Sequence, residues 1–180
     1  PAEHNAGMPG RTPAKAVDAF LDPLRDALRV LDGVAKLLIS PKGGFRKCVR
    51  YSWVLNGADG MDLGAVGRFI ASMEFEIIDA DPAKNEFGHP FRVTARSYHY
   101  KLLGGDGIDQ WRMHWHPEGR SQITTSHLHR QPNLKLHWPT GRLTLENAVG
   151  WCVESGAAVT SDSAMQAHEQ LALIEAPLVL

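Results

Sequence analysis

The chain has 180 residues, of which 43% are hydrophobic and 22% are charged, and this composition excludes disorder along the whole chain. Its 19 Lys and Arg and 20 Asp and Glu give a net charge of -1, which excludes a uniformly basic nucleic-acid binder. Cys48 and Cys152 lie far apart without a CxxC partner, so neither a disulfide framework nor a zinc knuckle is predicted. We expect a cytoplasmic protein without membrane contact, because no apolar run could span a bilayer and Pro1–Pro13 lacks a signal-peptide pattern.

Residues 1–11 are rich in Gly, Pro and Ala and are predicted to form a flexible arm before a single domain at 12–180. Thr12 and Pro13 are typical of a helix start. Apolar residues at helical spacing then predict one helix that ends before Pro41.

The later elements are predicted from the spacing of apolar residues. Apolar residues at every second position predict strands, and apolar residues three or four positions apart predict helices. In chain order they are a strand at 45–55, a short helix at 63–73, a strand at 75–79, strands at 90–103 and 110–116, a continuation of the sheet at 127–130, a helix after Thr144 that Gly156 ends, and a helix at 162–175. The Gly104–Gly107 turn predicts a hairpin between the strands at 90–103 and 110–116. The predicted fold class is therefore α+β, with a mainly antiparallel sheet, flanking helices and an N-terminal helical extension.

Residues 89–142 form a basic, histidine-rich region within this near-neutral chain. Seven of the nine histidines lie there, together with eight Lys or Arg and only three acidic residues, which gives a local balance of +5. A local field of this sign attracts phosphate.

The strand at 110–116 separates polar from apolar side chains, because alternate residues of a strand share a face. Arg112, His114 and His116 project together, whereas Trp111, Met113 and Trp115 project the other way. Histidine exchanges protons near neutral pH and arginine binds phosphate oxygens. The pattern favours acid–base chemistry on a phosphodiester, although a strand with hydrated surface histidines would show the same pattern.

His127 and His129 repeat the His-x-His spacing and are followed by Arg130. On adjacent strands the two pairs would converge, with His114 or His116 as the catalytic base and His127 or His129 as the acid. Four imidazoles also suit zinc, copper or iron. Since the neighbourhood is cationic and Glu118 is the one carboxylate close in sequence, neither a metal nor another cofactor is predicted.

The residues predicted to bind substrate flank these histidines. Arg96, Tyr98 and Tyr100 alternate onto one face of the preceding strand, where the tyrosines either contact bases or pack in the core. The arginines predicted to hold phosphate are Arg96, Arg112, Arg120 and Arg130. Walker A, GxGxxG and GxSxG motifs are absent from the sequence, which argues against P-loop hydrolases and serine esterases.

One stretch of the chain shows a known order of motifs: Tyr98-His99-Tyr100, the Gly104–Gly107 turn, Trp111-Arg112, and His127-Leu128-His129 before a capped helix at Thr144. With these motifs, residues 96–153 resemble the TumE-like family of toxins from bacterial toxin–antitoxin pairs. The resemblance implies a cognate antitoxin protein as partner and a nucleic-acid or translation target.

The sequence therefore leads to three hypotheses of function. The first is a toxin that cleaves or modifies RNA without a metal, through the histidines and arginines named above. The second is a non-enzymatic module whose basic face docks an acidic protein partner or nucleic acid. The third is a metal-dependent enzyme with a His-x-His site.

Overall fold

A computed structural model of the chain describes residues 9–84, 88–119 and 123–175. Its elements in chain order are α1 (Pro13–Leu28), β1 (Leu37–Ser40), β2 (Arg50–Leu55), β3 (Met61–Asp62), β4 (Arg68–Asp79), β5 (Phe91–Leu103), β6 (Asp109–Trp115), β7 (His127–Arg130), β8 (Asn133–Pro139), α2 (Leu145–Glu154) and α3 (Ala164–Glu175). The predicted α+β class, with a mainly antiparallel sheet and an N-terminal helix, is confirmed.

The strands form one antiparallel sheet in the order β1-β2-β4-β5-β6-β7-β8, and β3 pairs with β4. The three helices contribute to the same hydrophobic core as one face of this sheet. Phe20 of α1 contacts Phe75 of β4 with ring centroids 5.4 Å apart, and Trp151 of α2 contacts Trp111 of β6 at 5.8 Å. We call the opposite side of the sheet, which carries the polar side chains of the central strands, the outer face.

The predicted helix at 63–73 is wrong, because most of this segment belongs to β4. Alternate residues of β4 are buried, namely Phe69, Ala71, Met73, Phe75 and Ile77. A two-residue period buries one face of a strand and would spread around a helix. Only Gly64–Val66 forms a short 3-10 turn before the strand.

The first helix is shorter than predicted, since α1 ends at Leu28 instead of continuing towards Pro41. The apolar residues near the end of the predicted helix form β1, in which Leu37 pairs with Leu55 and Ile39 with Trp53 of β2. Tertiary pairing therefore overrides the helical period in this segment. Of the predicted arm, residues 1–8 lie outside the described residues, and Gly10 exchanges two backbone hydrogen bonds with Phe91.

The two C-terminal helices lie where the sequence predicts them. Thr144 caps α2 with a capping box, in which its hydroxyl accepts from the Asn147 N–H and the Asn147 side chain accepts from the Thr144 N–H. Among the described residues, no helix has the length and apolar character needed to cross a membrane.

A β-bulge separates Arg96 from the two tyrosines with which it was expected to share a face. Glu74 pairs with Ser97 and Phe75 with Ala95, so Arg96 is an extra residue in β5. Its Nε donates to Glu76 Oε2 at 2.9 Å, on the outer face. Because of this extra residue, Arg96 and Tyr98 point to opposite faces, although regular alternation would place them on the same face.

Tyr98 and Tyr100 point into the core, where they are 3% and 0% exposed and their rings stack 4.9 Å apart. The Tyr98 hydroxyl bonds to Ser126 Oγ and accepts from the Leu143 N–H at 2.8 Å. It thereby ties β5 to the segments before β7 and before α2. Neither ring is placed to stack on a nucleic-acid base.

We predict that Tyr98→Phe lowers the free energy of unfolding by about 1–3 kcal/mol, because it leaves the partly buried Leu143 N–H without its acceptor and removes the hydrogen bond to Ser126. Urea unfolding measures this change. Tyr100→Phe is the matched control, since the Tyr100 hydroxyl has no hydrogen-bond partner among the described residues, and its stability should change little. Equal effects of the two substitutions would contradict the anchoring role of Tyr98.

A candidate histidine centre

Cross-strand pairing aligns polar side chains of four strands on the outer face. Ser72 of β4 pairs with His99 of β5, His99 with His114 of β6, and His114 with His127 of β7. The neighbouring row consists of Lys101, Arg112 and His129. Since directly paired residues point to the same side of a sheet, His114, His127 and His129 share this face. This is the arrangement under which the sequence expects the two His-x-His pairs to converge.

Five imidazoles converge on this face, and we call them the histidine centre: His114, His116, His127, His129 and His137. The ring centroid of His114 lies 4.2 Å from that of His127, 4.9 Å from that of His129 and 5.1 Å from that of His116. His137 lies 4.9 Å from His127 and 4.4 Å from His129. His127 and His129 are buried, whereas His137 is exposed.

Sequence reasoning did not single out His137, because it did not predict β8. The pairing of β7 with β8 is irregular: Leu128 pairs with Trp138 and Arg130 with Asn133. The four residues at 134–137 therefore lie opposite the single residue His129. This irregularity brings both the His137 ring and the Leu134 carbonyl to the centre.

Backbone carbonyls orient two of the rings. The Nδ1 of His127 lies 2.8 Å from the Thr125 oxygen, and the Nδ1 of His129 lies 2.8 Å from the Leu134 oxygen. A carbonyl oxygen only accepts hydrogen bonds, so each Nδ1 carries a proton. In the neutral rings the lone pair is therefore on Nε2.

His129 Nε2 lies 2.8 Å from His114 Nε2. Since the His129 proton is on Nδ1, His129 Nε2 is the acceptor and His114 Nε2 is the donor. This assignment leaves the Nδ1 of a neutral His114 with a free lone pair. The two rings therefore form a connected path for a proton.

Burial disfavours the charged forms of three rings of the centre, His114, His127 and His129. It is the largest cause that lowers the pKa of His114, to about 3, and the neighbouring His127 and His129 lower it further. Burial also lowers the pKa values of His127 and His129. The predicted acid role of His127 or His129 needs an imidazolium, and this environment disfavours one.

Two cations border the centre, and one carboxylate lies between them. Lys101 Nζ is 3.5 Å and Arg112 Nε is 3.3 Å from oxygens of Asp109. Arg112 Nη2 also donates to the Leu134 oxygen at 3.2 Å, the same carbonyl that accepts from His129. Of the three predicted phosphate-binding arginines within the described residues, Arg112 is thus the one that lies beside the histidines.

The remaining predicted binding residues lie elsewhere. Arg96 is on the outer face but forms an ion pair with Glu76. Arg130 is exposed and pairs with the core-facing Trp111, so the register places it on the helix-covered side. Arg120 lies outside the described residues.

A groove of about 410 Å³ opens beside the centre on the outer face. Its polar lining residues are Ser52, Ser72, Glu74, Ser97, His99, His114 and His116, and apolar residues such as Val54 and Met73 complete the lining. The small serines leave a depression that leads to the imidazoles. The groove can therefore admit a small polar group next to His114.

In comparisons with known proteins, no family model matches the chain, and no curated protein or solved structure is significantly similar to it. The resemblance to TumE-like toxins stays a prediction.

The lowered histidine pKa values predict that the folded state loses stability as the pH falls from 7 to 5. The unfolded chain takes up protons below its ordinary histidine pKa of about 6.5, whereas His114, His127 and His129 of the folded chain resist protonation, so stability rises with pH in this range. Urea unfolding in a chelating buffer at several pH values measures the slope. The slope should be smaller in His114→Gln, which lacks one of these three rings. An equal slope in His114→Gln and the unmodified chain would show that His114 is not held neutral.

Proposed function

We propose that the chain cleaves RNA and that the histidine centre is its active site. The observation that carries this proposal is the convergence of two His-x-His pairs, with His114 and His127 rings 4.2 Å apart and His114 hydrogen-bonded to His129. Solvent-facing histidines on separate strands would have no reason to share hydrogen bonds, to lose exposure and to have lowered pKa values together.

The surroundings of the centre favour an anionic, hydroxyl-bearing substrate. Lys101 and Arg112 together outweigh the charge of Asp109 by one unit, which favours the approach of phosphate. The groove offers serine hydroxyls and the Glu74 carboxylate. Hydroxyls and carboxylates can accept hydrogen bonds from ribose hydroxyls, while serine hydroxyls can also donate to phosphate oxygens.

In the cleavage that we propose, the ribose 2′ oxygen attacks phosphorus and the bond from phosphorus to the 5′ oxygen breaks. The proton that leaves the 2′ hydroxyl ends on the 5′ oxygen, so no other reactant is consumed. His114 has a free Nδ1 lone pair and a hydrogen bond to His129. In the proposed step His114 Nδ1 accepts the 2′ proton while the Nε2 proton passes to His129 Nε2. The reverse transfers then deliver a proton from His114 Nδ1 to the 5′ oxygen.

We propose that the biological setting is a toxin–antitoxin pair, in which an antitoxin protein blocks the centre. The order of motifs from Tyr98 to Thr144 supports this setting. The hypothesis of a binding module uses the same cationic face. RNA cleavage distinguishes the two, because a binding module binds RNA and leaves it intact.

We predict that the purified chain cleaves single-stranded RNA and that His114→Ala lowers the cleavage rate by about 100-fold or more, as expected when an acid–base group is lost. Gel electrophoresis of end-labelled RNA measures the rate. His168→Ala is the matched control: it removes an imidazole from α3, which packs near Gly150 of α2, so cleavage should continue at the original rate.

Arg112→Gln should weaken RNA binding and reduce its dependence on salt, because one contact between a cation and phosphate is lost. If RNA binds with the expected salt dependence but stays intact, the chain is a binding module. If RNA neither binds nor is cleaved at low salt, the proposed substrate is wrong.

A further inference from the structure

We propose that the histidine centre binds one divalent transition-metal ion through His127, His129 and His137. Zinc and its late first-row neighbours are the chemical class that fits, because imidazole nitrogen is among their preferred ligands and the three side chains offer no competing oxygen or sulfur. This inference goes beyond the proposed function, and only the role of the ion in RNA cleavage rests on that function.

The ligand atoms are already close to coordination distance. One ring nitrogen from each of His127, His129 and His137 lies within 4.8 Å of the other two. In a tetrahedral zinc site with bonds of about 2.0–2.1 Å, the ligand nitrogens are about 3.3 Å apart. Small ring movements would therefore close the triad around an ion.

Hydrogen bonds outside the triad hold two rings in the orientation that a metal requires. The Nδ1 protons of His127 and His129 are donated to the Thr125 and Leu134 oxygens. Metal-binding histidines usually donate their second ring N–H to a carbonyl or carboxylate in this way. The Nε2 atoms of His127 and His129, at alternate positions of β7, would then be the ligand atoms. The ion would take the place of the hydrogen bond that His129 Nε2 accepts from His114 Nε2.

A second triad, His114, His116 and His127, overlaps the first at His127. His127 has only Nε2 available, because its Nδ1 is bonded to Thr125, so the two triads cannot each hold an ion through it. We assign the ion to the triad with two carbonyl-oriented rings. With three protein ligands a further coordination position would stay open, and His114 would lie near the ion because its Nε2 is 2.8 Å from His129 Nε2.

The cationic surroundings do not exclude a divalent ion at this position. Asp109 forms ion pairs with both Lys101 and Arg112, and Arg112 also donates to the Leu134 oxygen. The ion would meet one unit of net positive charge from these groups. Three neutral nitrogen ligands can offset that repulsion, as imidazole sites commonly bind zinc without any carboxylate.

The ion would supply what neutral imidazoles lack in RNA cleavage. A metal ion polarises a phosphoryl oxygen and stabilises negative charge on the reacting oxygens. His114, near the ion, would still transfer the proton. The serine-lined groove reaches His114, so substrate and ion could meet there.

Calorimetric titration of zinc into the chain tests the inference, with protein purified without a metal-binding tag and stripped with chelator. We expect one equivalent to bind with a dissociation constant below about 1 µM, and cobalt to give the visible absorption bands of a four-coordinate ion. Absence of stoichiometric binding of zinc and cobalt would overturn the proposal. Neither readout depends on RNA cleavage.

Single substitutions locate the ion. His137→Ala should weaken zinc binding by more than about 100-fold. Loss of a residue that only hydrogen-bonds to a ligand already lowers metal affinity about 10- to 100-fold, and His137 is itself a proposed ligand. His137 is exposed, so the variant should keep its fold, which circular dichroism checks. His168→Ala should bind zinc as the unmodified chain does. If His116→Ala weakens binding and His137→Ala does not, the ion occupies the other triad and our assignment is wrong.

The metal proposal and the cleavage proposal can fail separately. If the metal-free protein cleaves RNA at the full rate, the ion takes no part in the reaction. The zinc binding measured by calorimetry would be unaffected by this result. Zinc binding without RNA cleavage would overturn the proposed substrate and leave the metal site in place.

Discussion

The antiparallel register of β5, β6 and β7 is the constraint on which the candidate site depends. It sets His99, His114 and His127 side by side and, on the other face, buries Tyr98, Tyr100 and Trp111 under the helices. A shift of one residue would send the imidazoles into the core and the aromatic rings into water. The same hydrophobic burial that stabilises the sheet therefore also fixes the positions of the histidines.

Two irregularities in strand pairing then change the side-chain positions that regular alternation would give. Opposite His129, the irregular pairing of β7 and β8 turns the Leu134 carbonyl towards the ring and adds His137 to the group. In β5, the bulge at Arg96 sends this side chain to Glu76 on the outer face. Bulges commonly re-aim side chains beside functional sites, and here one of them completes the histidine centre.

The parts of the fold that the sequence predicts are those governed by local periodicity. The long strand β5, the hairpin to β6 and the capped helix after Thr144 carry clear signals within their own residues. The helix over 63–73 fails because the buried residues from Phe69 onward follow a two-residue period. The long first helix fails because the pairing of β1 with β2 outweighs the helical spacing of apolar residues. His114 on β6, His116 directly after it, and His127 and His129 on β7 follow from alternation. His137 depends on the irregular β7–β8 pairing, which no local pattern shows.

The charge balance along the sequence argues against a metal ion, but the structure shows that several of the counted charges do not lie beside the histidine centre. The balance of +5 over residues 89–142 includes Arg96, which is paired with Glu76 from another part of the chain, and Arg130, which lies on the other side of the sheet. What an ion would encounter is the set of charges within a few ångströms, because more distant exposed charges are screened. At that distance the ion would meet a net charge of +1 from Lys101, Arg112 and Asp109 instead of +5. Burial lowers the pKa values of His127 and His129 and so favours the neutral form that binds a metal.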